Sequence, residues 1–512
     1  MASTTLTQTI RPADASRARR AFSAVGRKLG GSPDKELFST SWSECKYPLF
    51  FLLSMSLLGL SFYPALILIF IILLNRWKND RYDFIFMLTF FFGGYAFVSK
   101  VQTYIATSDI AFIVSVILWI LYRRPPLMNK LLLLMLIYIA GLFAIATQSL
   151  ESMSIQFLTI RNYISILYII VPVVVFGSMD FDITQFFRKA IIFTLIICVF
   201  YAIDCAIFSG NILVPNTHLH SGLTSKFYSP YWQPLSMHLL RKYPQGLYFM
   251  MLALYPIARV YRLRWWQWLI IAAGFFSTFT FTFISSAAIV YVFLIVKPSK
   301  ILKYSLIFVV GCVSLYFIDG MLPTIKKELY DESTLRIKSS VDQFIELRNA
   351  VDDEDIARFA SGRMAQALPK FELVAHENRQ AFGLGFLHPD KTRINRYVII
   401  NQYYTDVSQN EEVATGIEII AAQVYVTIGY VGLILHCLFF IFLYLLLRKL
   451  KYSTYVLSVI FANVIMGFGG FGSLIYPSGL LILSMSVGAV LLANPKEVWG
   501  RRISHVKTIF PQ

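Results

Sequence analysis

A chain of 512 residues that is 57% hydrophobic, 16% aromatic and 15% charged, with a mean hydropathy of +0.61, has more apolar surface than a water-soluble domain can hide. The net charge of +17 does not indicate a nucleic-acid partner, because the basic residues sit at the ends of apolar segments, where they orient a membrane protein. The five cysteines follow neither a metal-ligand spacing nor a disulfide framework.

Residues 1–46 are polar and basic and read as a cytoplasmic arm without a cleavable signal peptide. Beyond them, apolar runs of about 18 to 25 residues recur, the length that crosses about 30 Å of hydrocarbon as helix. Backbone groups in lipid must be bonded internally, which makes the spans helices. The alternating ten-residue strands of a membrane barrel are not seen.

Basic clusters at Arg17–Lys28, Arg76–Arg81, Arg123–Arg124, Arg188–Lys189, Arg262–Arg264, Lys297–Lys303, Arg448–Lys451 and Lys496–Arg502 set a topology. If all are cytoplasmic, each apolar block between them crosses an even number of times. Hairpins are then predicted over 48–75, 84–122, 127–177, 186–260 and 265–296. A single span follows at 301–318, another at 418–447, and a last hairpin at 454–493. The sum is an all-α polytopic membrane protein of about fourteen transmembrane helices, with both termini cytoplasmic and residues 496–512 as a tail.

Two outer loops result. The smaller spans 209–243 and divides the first transmembrane block, 47–318. The larger spans 319–417 and precedes the last three spans, in 418–495. More than half of the acidic residues lie in the larger loop, and loops of such length are commonly functional. It reads as helical: 333–351 is amphipathic, and the helix after Asp352–Asp355 places Ile356, Phe359, Ala360 and Met364 on one face until Pro369 ends it.

Several residues could carry chemistry. Arg363 falls on the apolar face of its loop helix, where a guanidinium pairs with an acid or awaits an anion such as a diphosphate. Arg241, beside Lys242, sits where the smaller loop returns to the membrane, and Arg161 lies about one turn inside the outer end of its span. Either can be an interfacial snorkelling residue or a functional cation. Glu418 opens a long apolar segment as a favourable helix-start acid or as a general base facing a sugar hydroxyl. The acids at 352–355 and at Asp180 and Asp182, and the pair His218 and His220, have metal-site readings, but caps and solvated faces account for them. His388 reads as a surface histidine. No metal or cofactor is expected.

Three fragments resemble the O-antigen polymerase and O-antigen ligase family of bacterial envelope enzymes: "SGRMAQALPKF" followed by "FGLGF", "RKYPQG" entering a span, and "EIIAAQVYVTIGYVG" with Gly429 and Gly432. The two unequal outer loops, with the larger before the last three spans, resemble it too. Family ligases carry a histidine where Glu418 stands, followed by a small polar residue where this chain has Ile419, which favours the polymerase. Ser286 stands where many members carry the arginine of a Ser-Arg-Gly run, and the Arg-x10-Gly pattern of some polymerases is absent from both loops.

The resemblance implies a GT-C-like fold in the bacterial inner membrane with its active site facing the periplasm. It implies polymerisation of undecaprenyl-diphosphate-linked repeat units into O-antigen, capsule or exopolysaccharide. Donor and acceptor would be lipid-linked glycans, with a chain-length regulator and a flippase as possible partners. Glu418 would be the base, Arg363 and Arg241 would hold the diphosphate, and Arg161 and Lys242 would support them, without a metal. The alternatives are a ligase transferring glycan to lipid A core and, from another class, a flippase for lipid-linked oligosaccharides.

Overall fold

The computed structural model describes residues 36–57, 62–93, 107–149, 152–177, 181–207, 245–277, 281–296, 371, 374–375, 377–386, 420–468 and 477–499. These residues are predominantly helical. In chain order they form β1 (Glu36–Leu37), α1 (Trp42–Leu57), α2 (Phe62–Asn79), α3 (Arg81–Phe92), α4 (Thr107–Leu121) and α5 (Pro126–Ala146). Then come α6 (Met153–Ile164), a 3-10 turn (Ser165–Ile169), α7 (Ile170–Phe176), α8 (Ile183–Ile207), α9 (Gln245–Arg259), β2 (Tyr261–Arg262), α10 (Trp265–Ser277) and α11 (Phe281–Ile295). After the larger loop follow α12 (Ile420–Leu447), α13 (Ser453–Phe468), α14 (Pro477–Leu492) and α15 (Pro495–Trp499).

Helices thus occupy the apolar segments read from the sequence. The exception is 301–318, which lies outside the described residues, as do 1–35, the smaller loop and most of the larger one. Among the described residues, four stretches are long and apolar enough to cross a membrane: Pro126–Ala146, Thr159–Phe176, Ile183–Ile203 and Gln423–Leu447. Exposed large apolar side chains on α2, α4, α5 and α12, such as Phe70, Ile113, Leu133 and Ile441, suit a lipid-facing surface.

The centre of the bundle is α14, in which every residue from Gly479 to Leu492 is buried. A helix apolar on all sides belongs inside a bundle. It packs on α7, α9, α13 and the 3-10 turn. That turn has a covalent cause. Pro172 has no N–H to offer Tyr168, and its ring disturbs the preceding turn. Side chains of neighbouring helices bond other carbonyls of the turn: Trp119 Nε1 donates to Leu167 O at 2.8 Å, and Ser484 Oγ to Ile166 O at 3.1 Å. A side chain at Gly488 would meet the Pro172 ring at 2.7 Å, so the small residue admits the bend.

The helix ends at Arg76–Arg81, Arg188–Lys189, Arg262–Arg264 and Arg448–Lys451 meet at one end of the bundle. Phe38 is buried there, and β1 pairs in parallel with β2. Ser41 opens α1, its N–H donating to Glu44 Oε2 at 3.1 Å, the reach-back arm of a capping box. Arg188 grips Glu44 with Nε at 2.6 Å and Nη2 at 2.8 Å, and Nη2 also donates to Ser39 O at 2.7 Å. Lys189 Nζ lies 2.7 Å from Asp80 and 2.8 Å from Asp83, with Arg76 3.8 Å from Asp83. Arg81 donates to Val175 O at the end of α7, and Asn494 brackets both backbone groups of Lys451. The larger loop's turn and the α5–α6 corner meet at the opposite end.

Burial pushes the Asp83 carboxyl up to about 6, against the pull of Lys189. The Arg188 hydrogen bond holds Glu44 below the usual carboxylate range.

Candidate functional site

The loop end is organised by a break in α12. Gly429 has φ +61° and ψ −164°, a backbone state outside the helix and nearly closed to residues with a Cβ. The break divides α12 into a half-helix, Ile420–Ile428, and a longer half running from Tyr430 to Leu447. A regular helix would bond Tyr430 N–H to Val426 O and Val431 N–H to Thr427 O. Both rungs are missing here.

The turn at 377–386 fills the gap. Leu384 N–H donates to Val426 O at 2.7 Å and Gly385 N–H to Thr427 O at 3.0 Å. In return, Gln380 O accepts from Tyr430 N–H at 2.9 Å and Ala381 O from Val431 N–H at 3.0 Å. The turn holds one helix-like rung of its own. Its Gly383 N–H still donates to Arg379 O, four residues back, at 2.6 Å. Its next two rungs, from Leu384 to Gln380 and from Gly385 to Ala381, are the ones given up. The break in α12 and the turn therefore give each other two backbone hydrogen bonds in each direction.

Glycine makes the approach possible on both sides. A Cβ at Gly429 would strike Ala381 O and lie 2.5 Å from Ala381 C. A Cβ at Gly383, where φ is +71°, would lie 2.5 Å from both C and O of Thr427.

The turn is also tied to the α5–α6 corner. Ser149 Oγ donates to Leu384 O at 2.7 Å, and Arg379 Nη1 to Gln148 O at 2.5 Å. The Gln156 side chain is fully buried between corner and turn. Its Nε2 donates to Ala146 O at 2.8 Å, and its Oε1 accepts from Phe386 N–H at 3.2 Å. Phe386 is buried against the Tyr163 ring, and Phe371 packs edge-on to Tyr425 of the half-helix.

Of the residues singled out from sequence, Arg161 is described. Its Nη1 lies 3.1 Å from the Asp109 carboxylate in the first turn of α4, and both side chains are about one-fifth exposed. Its charge is thus offset by an acid that the sequence reading passed over. Glu418, Arg363, Arg241 and Lys242 lie outside the described residues, as do the acids at 352–355, His218, His220 and His388. Glu418 stands two residues before the start of the half-helix in the chain. Asp182 serves the first turn of α8, accepting from Thr184 N–H at 2.8 Å.

Two further features were missed. Tyr138 Oη and His436 Nδ1 share a hydrogen bond of 2.8 Å between α5 and α12. The signal for it was a histidine inside an apolar run, where an ionisable residue needs a partner. Gln156 is the other, the polar residue of α6 that faces the turn. Among the described residues, no group of three or more His, Cys, Asp or Glu is placed to hold a metal. The chain matches no protein-family model and no curated protein.

Proposed function

We propose that this protein is a membrane glycosyltransferase that joins lipid-linked oligosaccharide repeat units, the polymerase activity of the O-antigen polymerase and ligase family it resembles. The observation that carries the reading is the rung exchange. Two of the sequence fragments behind the resemblance, the Gly-x-Gly turn and the Gly429 segment, are distant in the chain and bonded backbone to backbone. They meet where the larger loop joins the helix that follows Glu418.

On this reading, Glu418 accepts the proton of the acceptor hydroxyl as that oxygen attacks the anomeric carbon of the donor. The bond to the lipid diphosphate breaks, with inversion, and Arg363 and Arg241 offset the charge developing on the leaving group. Lys242 supports them. Arg161, already paired with Asp109, contributes less. The active site faces the periplasm, and the Lys189 end of the bundle faces the cytoplasm with both termini.

A flippase is the less favoured reading. Transporters leave the ends of their broken helices open to substrate and ions. In α12 the groups freed at the break are used by the turn.

The test is glycan gel profiling of a deletion strain complemented with Glu418→Gln, Arg363→Ala or Arg241→Ala. Each variant is expected to insert in the membrane and give no polymer, with single repeat units accumulating. Full-length polymer left on its lipid carrier would point to the ligase instead, and a normal ladder from Glu418→Gln removes it as the base. Activity of the purified protein in chelator is expected to persist.

A further inference from the structure

The rung exchange has an unusual property: the same backbone groups can be satisfied in two ways. Docked, α12 and the turn complete each other with four hydrogen bonds. Separated, α12 can close its rungs from Tyr430 to Val426 and from Val431 to Thr427. The turn can close its own, from Leu384 to Gln380 and from Gly385 to Ala381. The count is unchanged. Most helix breaks cost unpaired groups when they rearrange, and those are expensive in an apolar setting. Two glycines absorb the dihedral change that the rearrangement requires.

We propose that the turn and α12 form a two-state latch, with Gln156 as the residue that holds it docked. The bonds that distinguish the states are those to the α5–α6 corner. Gln156 supplies the buried one, bridging Ala146 O and Phe386 N–H, and Ser149 supplies a second on Leu384 O. Docked, α12 is bent and the half-helix keeps one direction. Released, α12 straightens and the half-helix swings about Gly429. This rests on the transfer reading in one respect only: Glu418 stands two residues before the half-helix in the chain, so the latch positions the base and Gln156 is a positioning residue.

The test uses Gln156→Glu in the full-length protein. A neutral glutamic acid can donate to Ala146 O and accept from Phe386 N–H, as the amide does. The carboxylate cannot donate, and it presents an oxygen to the Ala146 carbonyl. Among the described residues, the other charged side chains on the elements packed there are Glu377 and Arg379 on the turn, Arg161 on α6, Asp109 on α4 and, sixteen residues before Ala146 on α5, Lys130. Spin labels at Ala375→Cys and Thr147→Cys, both exposed sites, report the distance between turn and corner in a cysteine-free background.

The docked distance is expected in the unsubstituted protein from pH 5 to 9. Gln156→Glu should be docked at pH 5 and lose at least tenfold in the docked-to-released ratio by pH 9. Gln156→Met should be released throughout, and Ser149→Ala partly released at every pH. A docked distance for Gln156→Glu that does not change with pH, together with a docked Gln156→Met, overturns the latch. In repeat-unit transfer, Gln156→Glu should lose kcat tenfold over the same range with KM within twofold. A protein that transfers no repeat unit would sink the glycosyltransferase reading, while the distances would still decide the latch.

Discussion

Replacing Gly429 by alanine attacks the break from both sides. The dihedrals φ +61° and ψ −164° belong to a region that residues with a Cβ occupy at a cost of about 1–3 kcal/mol. The new methyl would also press on the Ala381 carbonyl, which is backbone and cannot rotate away. The turn must therefore retreat, and the four exchanged bonds lengthen or break. At roughly 1 kcal/mol net per bond, their complete loss would cost about 4 kcal/mol. Straightening of α12 recovers two of these, the released turn closes its own two more weakly because they are solvated, and alanine favours helix over glycine by about 1 kcal/mol. The variant should therefore release the turn rather than unfold the bundle.

Amide hydrogen exchange reads this directly. In the unsubstituted protein, Leu384, Gly385 and Phe386 should be protected. In Gly429→Ala their exchange should rise by about 30-fold, equivalent to about 2 kcal/mol of docking free energy, while amides of α14 stay as they were. Protection of the turn equal to that of the unsubstituted protein would refute the argument, because it would mean that the methyl group fits and the exchange tolerates it.

Other outcomes concern the Lys189 end and the proposed chemistry. Lys189→Met leaves the buried Asp83 and its neighbour Asp80 with Arg76 alone among the cations described around them, and should lower stability by roughly 3–5 kcal/mol, read as the thermal midpoint in detergent. Asp83 has a folded-state pKa of about 6, above its unfolded value, so the native state binds the extra proton between about pH 4 and 6. Its contribution therefore falls as pH rises through 6. Asp83→Asn should gain up to about 3 kcal/mol relative to the unsubstituted protein between pH 4 and 8, at about 1.4 kcal/mol per unit, and a difference that does not vary with pH would show that Asp83 does not titrate there. Glu44 acts in the opposite sense: its depressed pKa gives stability above the ordinary glutamate range that is lost on acidification. Glu418→Gln should abolish the polymer ladder without loss of membrane insertion.

The helical segments were legible because lipid imposes a simple rule on sequence: a long apolar run flanked by basic residues. The clusters at Arg76–Arg81, Arg188–Lys189 and Arg262–Arg264 do meet at one end, as alternating hairpins require. What the sequence hid was pairing. Asp109 offsets Arg161, which sequence alone leaves between an interfacial and a functional cation. In sequence, Gly383 and Gly385 belong to one short fragment and Gly429 and Gly432 to another. Nothing local says that the two segments bond to each other, because the partner of each broken rung lies more than forty residues away in the chain. Gln156 was invisible for the same reason: a glutamine near a helix start has many solvated uses, and only the packed turn makes it a bridge.

The two helix interruptions in the bundle solve one problem in different ways. Inside an apolar environment a freed backbone group must find another partner. At Pro172 the missing N–H is covalent, so α7 cannot close its ladder under any rearrangement, and Trp119 and Ser484 serve the adjoining 3-10 turn. That bend is permanent and lies against α14, the most buried helix. At Gly429 no donor is missing. The rungs are lent to the turn, and both segments hold what they need to take them back. A fixed bend in the core and a reversible one at the loop end divide the labour: the first sets the shape of the bundle. The second lets the larger loop alter the direction of the half-helix that follows Glu418 without exposing a single unpaired rung.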